Sequence, residues 1–181
     1  MISDDSIDAV YISTPIGTHE EWVIKAASAG KHILCEKPLT ISNNSAEKIV
    51  KYFGDSVPYW STTNEPWSCA FLGHARGLHA PGMKDYNAAG IVAHHLNLAH
   101  GLSVSAIRKN IKTAQIGVVH CLQVIEPFSD SDLDIEAART VSGEANGIFL
   151  EPMFKGTYPE HMFPYLPCLN CLLYTSPSPR D

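Results

Sequence analysis

Apolar and polar positions follow strand and helix periods in alternation along this chain. The run "IDAVYIST" at residues 7–14 is apolar and β-branched, and Pro15 and Gly17 close it, which predicts a buried strand of a parallel sheet. A helix is expected next. Thr18 can cap it, Glu20 and Glu21 suit its positive N-terminus, Trp22, Ala26 and Ala29 recur at helical spacing, and Gly30 stops it. "KHILCEKPL" then predicts a second strand, and strand, helix and strand within about 30 residues make a βαβ unit. The ligand crevice of such a unit lies beyond the carboxyl ends of its strands.

The pattern then repeats in looser form. "KIVKYFGDSVPYW" begins as an amphipathic helix, turns at Gly54 and Asp55 and enters a strand over Tyr59 to Thr63 that ends at Pro66, with Asn64 and Glu65 at its carboxyl end. In "NAAGIVAHHLNLAHGLSVSAIRKN" the residues Val92, Leu96, Ala99, Leu102 and Ala106 define one apolar helical face. "QIGVVHCL" predicts another strand, and Ser131 with Asp134 predicts a capped helix through "DLDIEAARTV". Helices alternating with short apolar strands give an α/β fold class with parallel strands.

Composition narrows the function classes. The chain is 45% hydrophobic, as a soluble globular protein is, and its net charge of −6 comes with scattered rather than clustered Lys and Arg. No basic stripe is present to neutralise phosphates, so no nucleic-acid partner is expected. No apolar run reaches the roughly 20 residues that span a bilayer, so no membrane partner is expected either. "MISDDSIDAV" lacks the basic start and apolar core of a leader, which points to a cytoplasmic protein. The five cysteines are odd in number and widely spread, as reduced thiols are, and only Cys168 and Cys171 form a C-x-x-C pair. His94, His95 and His100 share a helix at spacings that do not gather metal ligands as H-E-x-x-H does, so no metal is expected.

Two resemblances rest on these segments. "IDAVYISTPIGTHEEWVIKAASAGKHILCEKPL" resembles the glucose-fructose oxidoreductase and inositol dehydrogenase family of NAD(P)-dependent sugar dehydrogenases. The resemblance implies a Rossmann-like unit in which Thr14 and Pro15 border the dinucleotide and Glu36, Lys37 and Pro38 place a lysine near nicotinamide and substrate. A lysine at a strand end can orient a sugar hydroxyl during hydride transfer. The family's glycine-rich phosphate turn is absent, so residues 1 to about 48 are expected to be a partial dinucleotide-binding domain that does not bind NAD(P).

The second resemblance is longer. "YWSTTNEPWSCAFLGHARGLHAPG", "AHHLNLAHG" and "FLEPMFKGTYPEHM", in that order, are similar to glycoside hydrolase family 1, the β-glucosidases. The resemblance implies a partial (β/α)₈ barrel around strands four and five over residues 49–165, with Glu65 as general acid/base and Asn64 as ligand of the sugar 2-hydroxyl. The substrate implied is a small-molecule β-glucoside, and no cofactor is required. A retaining glycosidase pairs its acid with a second carboxylate about 5 to 5.5 Å away. The family's nucleophile motif, Thr/Ser-Glu-Asn-Gly, does not occur in the chain, and Glu126, after the "QIGVVHCLQVI" strand, is expected to be a solvated loop residue. Ser61 and Thr63 stand where the family more often has bulky apolar residues.

A barrel of this kind takes about 250 residues, more than this segment supplies. Residues 166–181 are expected to be a disordered tail, and "CLLYTSPSPRD" reads as the translation of a transposase end and adaptor used in sequencing libraries, which accounts for Cys171. Three readings follow: a β-glucosidase fragment inactive as written, a fragment of an NAD(P)-dependent sugar or inositol oxidoreductase, or a non-functional assembly chimera joined between Ala46 and Phe53. Unpaired strand edges and half-covered helix faces predict poor stability.

Overall fold

The computed structural model describes residues 1–172. They form an α/β chain in which two compact units alternate: Met1–Pro58 with Ala106–Gln115, and Tyr59–Ser105 with Ile116 onward. The boundary expected near residue 48 lies inside a helix, and the first unit runs on to Pro58.

In the first unit, β1 (Ala9–Ile12), α1 (His19–Ser28) and β2 (His32–Cys35) form the expected βαβ arrangement, with β1 and β2 paired in parallel from Ala9↔His32 to Ile12↔Cys35. Alternation along β1 sends Val10 and Ile12 into a small core with Val23 and Ala26 of α1, while Tyr11 stays exposed. Gly30 ends the helix at φ 71, a backbone region closed to most side chains. Thr18 stands at the N-cap position, but its hydroxyl donates to Pro15 O at 2.8 Å instead of capping, because a 3₁₀ turn at Ile16–Thr18 leads into the helix. α2 (Asn43–Phe53) starts earlier than the pattern suggests, with Ser42 Oγ accepting from Ser45 N–H at 3.2 Å, and buries Ile49 and Val50.

In the second unit, β3 (Tyr59–Asn64) and β4 (Gln115–Val119) form a separate two-stranded sheet. Gln115 N–H donates to Pro58 O near one end and Glu65 N–H to Val119 O at the other, so the strands run in the same direction. The core is built from Ala70, Phe71, Ala89, Ala93, Ile148, Phe149, Met162, Leu166 and Leu169. A buried polar group runs through it: His94 Nδ1 meets the Tyr158 hydroxyl at 3.1 Å, and Asn97 Nδ2 donates to Ile148 O at 2.9 Å. Burial pushes the Tyr158 hydroxyl up to about 12.

Two expectations need correction. Of the face of α3 (Tyr86–Asn110) assigned to Val92, Leu96, Ala99, Leu102 and Ala106, Val92 and Leu96 pack against the core, but Ala99, Leu102 and Ala106 are exposed, whereas Ala89, Ala93, His94 and Ile107 are buried. Small residues permit close approach and the polar ones are hydrogen-bonded, so the stripe is not the one of largest hydrophobicity. The tail placed at 166–181 begins too early. Leu166 and Leu169 are 1% and 0% exposed, and Cys168–Leu172 forms α6, because these leucines fill the second core. The remainder of that stretch, 173–181, with most of the adaptor-like run, lies outside the described residues.

α4 (Asp132–Ser142) is capped as expected, with Ser131 Oγ accepting from Asp134 N–H at 3.2 Å. It buries none of its residues, and the preceding loop exposes Val124 and Phe128. A π-helical turn at Gly143–Gly147 leads to α5 (Ile148–Lys155), which Gly156 ends in the left-handed conformation at φ 74, donating to Glu151 O and Pro152 O.

Candidate functional site

The carboxyl end of β3 concentrates the chemistry of the second unit. Tyr59, Trp60, Thr62 and Thr63 are good strand formers, and the strand carries Asn64 as its last, exposed residue. Glu65 then leaves the sheet at φ 50, the one non-glycine with positive φ among the described residues. For a long side chain this is a strained backbone, and the surroundings hold it in place. Its N–H donates to Val119 O at 2.7 Å, and its carbonyl accepts from Ser68 N–H at 3.0 Å. Pro66, with its fixed φ and no N–H to satisfy, opens the helical turn that follows. The chain continues as a π-helical segment, Ser68–Ala75.

The Glu65 carboxylate sits at the start of this turn, and its Oε2 accepts from Ser68 Oγ at 3.3 Å. Trp67 packs flat on Phe71 at 5.9 Å, the Arg76 guanidinium lies over the Trp67 ring at 5.0 Å, and Arg76 is tied to Glu144 at 3.0 Å. Thr63 Oγ1, Trp67 Nε1 and His120 Nε2 are buried without a hydrogen-bond partner among the described residues. These flank Glu65 in the chain or directly follow β4. Burial lowers the His120 pKa, favouring the neutral ring.

The sequence reading missed Ser68, whose signal was its position three residues after Glu65 at a helix start. It also missed His120, marked only by its place after a strand. Glu126 is exposed, as expected, and no carboxylate is bonded to Glu65 among the described residues. His74 Nδ1 faces Cys69 O and His100 Nδ1 faces Thr62 Oγ1 at 2.8 Å. No group of three or more metal-ligating side chains occurs among the described residues, and all five cysteines are free thiols. No helix there is long and apolar enough to cross a membrane.

The strain at Glu65 gives a direct expectation. Glu65→Gly removes the left-handed penalty but adds unfolded-state freedom, so the net effect is a gain of roughly 0.5–1 kcal/mol. Urea unfolding of the two proteins measures it, and a lower midpoint for the glycine variant contradicts it.

In the first unit the structure brings Thr14, Pro15, Glu36, Lys37 and Pro38 together at the carboxyl ends of β1 and β2, all of them exposed. Glu36 N–H donates to Ile12 O at 2.9 Å, and its carboxylate accepts from the Tyr11 hydroxyl, which raises the Tyr11 pKa. The buried His19 lies between the two turns and was not singled out from sequence. The β1–α1 turn holds one glycine, Gly17, and no Gly-x-Gly-x-x-Gly occurs in the chain.

Comparison with known proteins places these features. Residues 39–170 match the sequence model of Glycosyl hydrolase family 1, and residues 1–56 match that of the Oxidoreductase family, NAD-binding Rossmann fold. The 1,4-beta-D-glucan glucohydrolase of Thermotoga neapolitana is 44% identical over 109 residues, 60% of this chain and 26% of that protein. Beta-glucosidase A of Acetivibrio thermocellus is 43% identical over 116 residues, 64% of this chain and 26% of that protein. Among solved structures, the virulence factor SghA bound to its substrate analog salicin shares a TM-score of 0.67 at 29% identity, over 90% of this chain and 38% of that one. The beta-glucosidase of Thermotoga maritima in complex with deoxynojirimycin gives 0.69 at 27% identity, over 91% and 46%. The chain thus spans about a quarter of the length of the curated relatives it matches.

Proposed function

Because this chain belongs to glycosyl hydrolase family 1, we propose that it carries the acid/base half of a retaining β-glucosidase site, with Glu65 as general acid/base and Asn64 as ligand of the sugar 2-hydroxyl. The family's (β/α)₈ architecture puts catalytic groups at carboxyl strand ends. The observation that carries the reading is Glu65 itself, held in a strained conformation just past β3 by Val119 O and Ser68. In such a site the carboxyl protonates the glycosidic oxygen as the bond to the anomeric carbon breaks, then takes a proton from the attacking water. A hydrogen bond from Asn64 to the 2-hydroxyl strengthens as positive charge grows at the anomeric carbon. The substrate is a small β-glucoside, and the reaction needs no cofactor.

The 181 residues contain no Thr/Ser-Glu-Asn-Gly, the motif that carries the second carboxylate in the family. On this reading the chain alone recognises a glucoside without turning it over. Glucoimidazole, the ligand of one Thermotoga maritima structure, tests the recognition step. Titration of ¹⁵N-labelled protein is expected to shift the Asn64 and Glu65 amides, and Glu65→Gln to weaken the effect about tenfold, the scale of one charge-assisted hydrogen bond. No shift at these amides, or an unchanged affinity in Glu65→Gln, overturns the assignment.

A second reading is favoured by the two sequence matches, which overlap over 39–56, across α2. It makes residues 1–56 a fragment of an NAD(P)-dependent sugar or inositol oxidoreductase joined to the glycosidase part within a shared helix. The glycine-rich phosphate turn of that family is not among these residues, and the turn before α1 is a 3₁₀ turn with Thr18 folded back on Pro15. Thr14, Pro15, Glu36, Lys37 and Pro38 stand exposed at the carboxyl ends of β1 and β2, where this reading puts a dinucleotide. Sequencing reads that cross the codons of residues 44–55 without a coverage break support a natural fusion. A break there supports an assembly chimera.

A further inference from the structure

Asn146 grips the loop that follows β4 with both atoms of its side-chain amide. Its Oδ1 accepts from Gln123 N–H at 3.0 Å, and its Nδ2 donates to Gln123 O at 2.8 Å. One amide reaches both groups of a single residue only where they point the same way, as they do in extended backbone. Side chains alternate along such backbone, so Leu122 and Val124 fall on one side of the loop and Gln123 on the other. Leu122 is 60% exposed and Val124 is 91% exposed. A single exposed apolar side chain is ordinary, but two on one side of a pinned loop make a small apolar platform. The loop leaves the carboxyl end of β4, whose last residue, Val119, accepts from Glu65 N–H. Leu122 stands three residues further on, no more than about 11 Å of chain from that bond.

We propose that Leu122 and Val124 form the platform for the departing group of the glucoside, with Asn146 as their positioning residue, so that the site takes β-glucosides of an apolar aryl or alkyl alcohol in preference to a glucose-linked glucoside. The proposal rests on the reading of Glu65 as acid/base and adds the class of substrate. The departing group is joined to the oxygen that the acid protonates, so it lies on the Glu65 side of the sugar. A second glucose there would give up water from its hydroxyls, and Leu122 and Val124 have neither donor nor acceptor to replace it. An aromatic ring loses no such bonds and is stabilised by leaving water.

Three probes whose sulfur link resists hydrolysis separate the possibilities: methyl 1-thio-β-glucoside, phenyl 1-thio-β-glucoside and the sulfur-linked analogue of cellobiose, each titrated into the ¹⁵N-labelled full chain. All three are expected to shift the Asn64 and Glu65 amides, and only the phenyl compound to shift those of Leu122 and Val124. The phenyl compound is expected to bind about tenfold more tightly than the methyl one, the scale of about 60 Å² of apolar surface leaving water, and the cellobiose analogue no more tightly than the methyl one. Leu122→Ser and Val124→Ser are each expected to shrink the phenyl advantage. Asn146→Ala is expected to shrink it too, while exchange at the Gln123 amide speeds by about tenfold, the scale of one lost hydrogen bond. Shifts at Asn64 and Glu65 with no gain from the phenyl group overturn this proposal and leave the acid/base reading standing. No shift there with any probe overturns both. A phenyl advantage that survives Asn146→Ala in full, with the Gln123 amide released, overturns the positioning role.

Discussion

Replacing Phe71 with alanine is expected to unfold the second unit at room temperature. The ring is fully buried, stacked on Trp67 at 5.9 Å and set edge-on to Tyr86 at 6.1 Å, in the cluster that also holds Ala89, Ala93, Ile148 and Phe149. Truncation of a buried phenylalanine costs about 3–5 kcal/mol in lost transfer energy and cavity. Whole domains hold about 5–15 kcal/mol, and this unit starts low: its sheet has two strands, α4 buries nothing, and Phe128 is 98% exposed. Phe71→Leu, which keeps most of the volume, is expected to cost about 1–1.5 kcal/mol and leave the unit folded. Trp67 fluorescence in urea separates the variants, because that indole rests on the Phe71 ring. A Phe71→Ala protein with an unchanged urea midpoint contradicts the packing described.

What could be read from the sequence was what depends on period and local signals. The runs around Val10, Leu34, Trp60 and Val118 became β1 to β4, and Gly54 and Ser131 mark helix ends in the structure. The strand-end place of Asn64 and Glu65 was legible because a β-branched run ended at Pro66, and the roles expected of them came from the resemblance to glycoside hydrolase family 1. The strained φ of Glu65 was not, since it is fixed from outside by Val119 O and Ser68. The buried face of α3 was misread for the same kind of reason. Apolar size favoured Leu102, yet the core selected the small Ala89 and Ala93 and a hydrogen-bonded His94. Both π-helical segments escaped detection, because their composition is that of ordinary helix. Leu166 and Leu169 looked like the start of a tail because their partners, among them Ile148 and Phe149, lie far back in the chain.

The largest expected effect concerns catalysis. A retaining glycosidase needs an acid on one side of the sugar and a nucleophile on the other, about 5 to 5.5 Å apart. On the proposed reading Glu65 supplies the first, and the chain has no Thr/Ser-Glu-Asn-Gly motif to supply the second. An acid alone can protonate the leaving oxygen, but no carboxylate then attacks the anomeric carbon, and no glycosyl-enzyme forms. The measurement that tests this most directly is nitrophenol release from a nitrophenyl β-glucoside by the purified 181-residue chain beside its Glu65→Gln variant. Both are expected to release nitrophenol at the rate of buffer. Turnover by the unaltered chain that Glu65→Gln abolishes would contradict it, because it would mean that the chain holds a complete site.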